Sequence, residues 1–156
     1  LDLSSTKYNN LDIINKLNIL KGEKGQKEFA EWIGISITTI NNYFTGYSRP
    51  GIDFLLLLAN KGINVNWFLT GNGPVFVNYP ENAIYSPEEQ VFLYTLETEE
   101  EGVTNKEEAI KAFRQLRDFQ NNTNASKHEY SIGLKLLKVT YGKKHQKPQV
   151  DNNTPL

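Results

Sequence analysis

The sequence predicts an all-α protein. Apolar residues recur at spacings of three and four along most of the chain, and glycines or Ser, Thr and Asn punctuate the recurring runs. Strand-like alternation is confined to one segment near the C-terminus. The first run, "NNLDIINKLNILKG", sets Leu11, Ile13 or Ile14, Leu17 and Leu20 on one face and is closed by Gly22. In the second, Gln26 to Ile33, Phe29, Ala30 and Ile33 face inward, and Gly34 suits a left-handed helix end. Ser36 then offers an N-cap for a third helix ending near Gly46.

On a wheel of that third helix, Ile40, Tyr43 and Phe44 share one side, while Ile37, Thr38, Asn41, Asn42 and Thr45 share the other. The first set is a core stripe and the second a strip of short, mostly polar side chains. β-Branched residues each cost a few tenths of a kcal/mol in helix propensity, so packing of the apolar stripe must hold this helix. Local stability did not choose its outer face. "YSRPG" marks a turn at Pro50 and Gly51, and "IDFLLLLANKG", apolar nearly all round, predicts a buried fourth helix. "NVNWFLTGNGP" adds a short fifth, with Trp67 and Phe68 as packing anchors.

Beyond Pro80 the helical signals are capping boxes. "SPEEQVFLYTLET" opens on Ser86, Pro87 and Glu89 and should bury Val91, Phe92 and Leu96. "TNKEEAIKAFRQLRDFQ" repeats the device with Thr104 and Glu107 and aligns Ala109, Ala112, Phe113, Leu116 and Phe119 or Gln120. In "SKHEYSIGLKLLKVTYGKK", Ser126 and Glu129 favour a helix, while Tyr130, Ile132, Leu134 and Leu136 alternate as a strand would; helix is the reading adopted. The domains expected are 1–79, then a small helical module over 80–142, then a disordered tail over 143–156.

Composition fits a soluble globular chain: of 156 residues, 38% are hydrophobic and 22% charged. No apolar run approaches the roughly 18 residues of a membrane span, and the opening residues lack a signal peptide's basic and apolar regions. A cytoplasmic location is expected. The absence of cysteine removes disulfides, thiolate metal sites and cysteine nucleophiles. The net charge of −1 is unevenly distributed. Residues 1–79 hold seven bases against six acids, 81–118 four against ten, and 127–147 six lysines against one glutamate.

The stretch "QKEFAEWIGISITTINNYFTGYSRP" resembles the helix-turn-helix core of the XRE and lambdoid phage repressor family, with Gln26 opening one helix, Ala30 at the close crossing, Gly34 in the turn, Ile40 in the core and Gly46 closing the next. "NVNWFLTGNGP" resembles the end of the DNA-binding domain in phage CI-type repressors. The resemblance covers roughly residues 9–79 and implies a five-helix, lambda-repressor-like domain whose third helix enters the major groove. It implies base reading by Ile37, Thr38, Asn41 and Asn42, with Ile37 standing where the family more often has a polar residue. Gln26, Lys27, Lys24, Arg49 and Thr45 take the phosphate-contacting positions, assisted by the helix dipole. Without Arg or Lys on the strip, bidentate guanine contacts are lacking; Asn pairs with adenine and Ile or Thr packs on the thymine methyl, so an A·T-rich half-site is expected.

Two-fold pairing matches pseudo-palindromic DNA, which makes the C-terminal helices a candidate dimerisation module. The acidic run "ETEEEG" reads as a solvated surface; the basic segment from Lys127 to Lys147 touches phosphates or pairs with the acidic middle of a neighbour. No enzyme is expected. Many relatives of the resembled family carry a self-cleaving serine-lysine peptidase, but here the C-terminal half is short and helical, has no nucleophile motif, and the chain has no Ala-Gly bond. His128 and His145 lack metal-ligand spacing, and no cofactor is expected. The expected function is therefore a phage-type repressor acting as a DNA-bound homodimer, released by a protein antirepressor or other partner. The alternative is an antitoxin or antirepressor-like module whose C-terminal helices grip a protein.

Overall fold

The order of capping residues, apolar stripes and left-handed glycines sets the order of helices. The structure is a computed structural model and describes residues 10–78 and 84–146. Among these the ordered elements are α1 (Asn10–Lys21), α2 (Gln26–Ile33), α3 (Ile37–Thr45), α4 (Ile52–Asn60), α5 (Val65–Thr70), α6 (Pro87–Glu99), α7 (Lys106–Asn122) and α8 (Lys127–Tyr141), followed by a 3-10 turn at Lys143–His145. The protein is all-α. No helix among the described residues is long and apolar enough to cross a membrane. By packing, the chain divides into Leu1–Phe92 and Leu93–Leu156.

In the first unit, α1 packs on α3 and α5, α2 on α3, and α4 on α5. Their shared core holds Ile13, Leu17, Leu20, Phe29, Ile33, Ile40, Phe54, Leu58, Trp67 and Phe68. Of the stripe expected on α1, Ile13 rather than Ile14 is fully buried and Leu11 is exposed, since it sits at the open first turn. Helix α4 departs further from its reading: Phe54 and Leu58 are buried while Ile52 and Leu56 lie outward. This nine-residue helix packs mainly on α5 and sets Phe54 against Tyr43 of α3, so one stripe is buried however apolar its other faces are. After α5, the backbone at Asn64 donates to the Val75 carbonyl (2.7 Å), and the Asn64 side chain both caps α5 through Asn66 N–H and donates to the Pro74 carbonyl. The buried Gln90 side chain accepts from Val75 N–H (2.7 Å) and donates to the Tyr85 carbonyl, so the first turn of α6 holds the backbone at both Val75 and Tyr85. Ser86 caps α6 as its capping box predicts, accepting from Glu89 N–H and donating to the Glu89 carboxylate.

In the second unit, α7 and α8 form the main contact. A Cβ on Gly133 would stand 2.7 Å from Leu116 Cδ1, so a missing side chain is what allows the close crossing. Residues 127–141 are helical, as the Ser126 cap to Glu129 N–H favours, rather than a strand. Helix α7 begins one residue later than expected, capped by Asn105 instead of Thr104, because Thr104 N–H is held by the Tyr141 carbonyl (2.8 Å). Its buried face includes Ile110 with Ala109 and Phe113, whereas Phe119 is exposed.

Two charged segments are more ordered than the sequence suggests. The acidic run is not wholly solvated: Glu100 is buried, Lys138 Nζ lies 3.0 Å from Glu99 and 3.7 Å from Glu100, and the His145 ring meets the Glu100 carboxylate. Part of the basic segment is thus neutralised within its own chain. Residues 143–146, read as the start of a tail, are structured, with the backbone N–H groups of Lys143 and Lys144 donating to the carbonyls of Gly102 and Glu100 (both 2.9 Å). The remaining tail, with Lys147, and the expected boundary at 79/80 lie outside the described residues.

Candidate nucleic-acid interface

The α2–α3 junction fixes the presentation of α3. Gly34 takes φ 99°, which lets its N–H and that of Ile35 both donate to the Ala30 carbonyl (2.8 and 3.0 Å) and turns the chain sharply. Ser36 then caps α3, accepting from Thr39 N–H and donating to the Thr39 hydroxyl (2.8 Å). Beneath α3, Ala30 and Ile40 are fully buried, Phe44 meets Phe29 edge-on (6.2 Å), and Tyr43 meets Phe54 edge-on (5.1 Å). Tyr43 and Phe44 are half-buried. Burial and, secondarily, the Asp53 carboxylate push the Tyr43 phenol above its ordinary value of 10.0, keeping it neutral at physiological pH.

Ile37, Thr38, Asn41 and Thr45 come together on the outward face, with Asn42 half-buried at its edge. Ile37 is 40% exposed, so it belongs to the surface strip and not to the core. The strip has no acid or base in the first or last turn of α3, and the sequence places none between. Thr45 donates to the Asn42 carbonyl, which also accepts from Ser48 N–H (both 3.2 Å), pinning the exit of the helix.

The residues expected at phosphate are less uniform. Gln26 and Lys27 are exposed in the first turn of α2, whose N-cap, Gly25, has no side chain to occupy the leading N–H groups. Arg49 is exposed just past α3. Lys24 differs from these: it is buried (7% exposed), with its ammonium 5.5 Å from the centre of the Trp32 ring, while Lys61 approaches the same ring at 5.2 Å. The aromatic face and the alkyl stem's burial draw it inward. Tyr47, which sequence reasoning passed over, is 83% exposed between Thr45 and Arg49. Its position directly after the glycine that ends α3 was the available signal.

Residues 25–61 match a protein-family model described as helix-turn-helix, of the XRE type. The match spans α2, α3 and α4 and makes this segment of the N-terminal half similar to DNA-binding helix-turn-helix domains. Comparison with curated proteins and with solved structures found no match.

Proposed function

We propose that this chain is a sequence-specific transcriptional regulator, a phage-type repressor that binds an A·T-rich, pseudo-palindromic operator as a dimer. The observation that carries the reading is the uncharged outward face of α3 within a helix-turn-helix match. Asn41 and Asn42 offer their amides to adenine, and Ile37 and Thr38 pack against thymine methyls. Gln26, Lys27 and the open N–H groups of α2 meet phosphate on one side of the groove; Arg49, Thr45 and Tyr47 meet it on the other. Residues up to 79 read DNA and 80–142 pair the copies. Release from DNA depends on a partner or ligand rather than self-cleavage.

Selection of bound duplexes from a random pool tests this reading. It should return two A·T-rich half-sites related by a dyad. A pool dominated by G·C, or one with no enrichment at all, overturns it.

A further inference from the structure

Asn72 is the one asparagine of the chain that is followed by glycine. It lies in the turn that leaves α5, where Gly71, Asn72 and Gly73 are all exposed. Among the described residues, its backbone N–H donates to the Thr70 hydroxyl (3.2 Å), while its side-chain amide and the N–H of Gly73 bond to nothing. Gly73 has φ 87°, and a Cβ there would stand 3.1 Å from Asn64 Nδ2. The turn thus favours glycine at 73, and a glycine leaves its backbone nitrogen the least shielded from the side chain before it. Asn41 and Asn42 are not placed this way. Each precedes a residue within α3, where the next N–H is engaged along the helix.

We infer that Asn72 is a site of spontaneous, backbone-assisted deamidation. The Gly73 nitrogen gives its proton to a base in the solvent and attacks Asn72 Cγ. The N–Cγ bond forms, the Cγ–Nδ2 bond breaks, and ammonia leaves after taking a proton from the solvent. The cyclic imide then takes up water at one of its two carbonyls. Opening at the side-chain carbonyl gives aspartate; opening at the main-chain carbonyl gives isoaspartate, in which the chain runs on through the side-chain carbon. Either route consumes one water and releases one ammonia, which takes up the proton of the new carboxylic acid. Nothing is oxidised or reduced.

The product falls where α5 is tied to the segment after it. Asn64 donates from its side chain to the Pro74 carbonyl (2.9 Å) and from its backbone to the Val75 carbonyl (2.7 Å), and Val75 has no exposure. Isoaspartate lengthens the main chain by one carbon just before these bonds and loosens them. The inference does not depend on the DNA-binding reading.

Full-length protein kept folded in mildly alkaline buffer, then digested and read by tandem mass spectrometry, tests the site. Residue 72 should exchange NH for O, as a mixture of aspartate and isoaspartate, before any other asparagine reacts measurably. Asn72→Gln, whose longer side chain closes its ring far more slowly, should keep its mass over the same period. Urea unfolding followed by Trp32 and Trp67, both in the first unit, should show a lower midpoint for aged than for fresh protein, and no such drift in Asn72→Gln. A folded chain that stays intact at residue 72 while the urea-unfolded chain is converted overturns the site, because the turn then shields the bond. Conversion at residue 72 with an unmoved midpoint overturns the loosening of the Asn64 bonds.

Discussion

Replacing Gly25 by Asp should raise stability and weaken DNA binding together, a combination that few other roles for this position produce. Gly25 is the N-cap of α2, in extended backbone (φ −71°, ψ 167°) with no side-chain cap, and a Cβ there would meet nothing within 4 Å. Asp fits without strain and can accept from the leading N–H groups of α2. The gain from the cap and its favourable charge at the positive helix end is about 0.5–1 kcal/mol. If the same N–H groups face a DNA phosphate, the new carboxylate stands about 7 Å from it, and the repulsion is about 0.6 kcal/mol in water and about 2.4 at an effective dielectric of 20. Binding should weaken roughly threefold to fiftyfold, and the dependence of affinity on salt should flatten by about one phosphate's contribution. The two tryptophans, Trp32 and Trp67, both lie in the first unit, so urea unfolding followed by their fluorescence reads the stability of that unit. Fluorescence anisotropy with labelled operator, titrated at several salt concentrations, reads the binding. Higher stability with undiminished binding would refute the placement of α2's N-terminus on the DNA backbone.

Three further outcomes follow from the packing. Ile40→Ala, at a position with no exposure beneath the recognition surface, should cost about 2–5 kcal/mol by tryptophan-monitored urea unfolding. Gly142→Ala should cost about 1–3 kcal/mol, since its Cβ would stand 2.6 Å from both Glu100 Cβ and the Lys138 carbonyl; urea titration by circular dichroism reads it. The Tyr43 phenol, held above 10.0 in the folded state, contributes stability that is fully present below pH 10 and lost as pH rises through its folded value. Tyr43→Phe should therefore show a shallower alkaline loss of stability in the tryptophan signal.

The helix-turn-helix was legible because each of its boundaries rests on a local signal: Gly34 and Gly46 in left-handed backbone, and Ser36 capping Thr39. The exposed strip on α3 was legible from periodicity alone. Lys24 was not, because composition marks a lysine as surface while its burial depends on Trp32, eight residues away and met only in the folded chain. The outward apolar faces of α4 and of α8, where Ile132, Leu136 and Val139 lie exposed, share a cause. Sequence gives the hydrophobicity of a face, but the number of neighbouring helices decides how many faces are covered. Long-range polar pairing was equally hidden: nothing in the spacing couples Glu100 to Lys138 and His145, or Gln90 to Val75.

The central claim is that the outer face of α3 reads base edges. Its most direct test is the affinity of Asn41→Ala for the selected operator and for variants of it altered one base pair at a time. The account predicts that the substitution abolishes preference for A·T at one position in each half-site, a loss of about 1–3 kcal/mol of discrimination, while the other positions keep theirs. Undiminished discrimination at every position would contradict it.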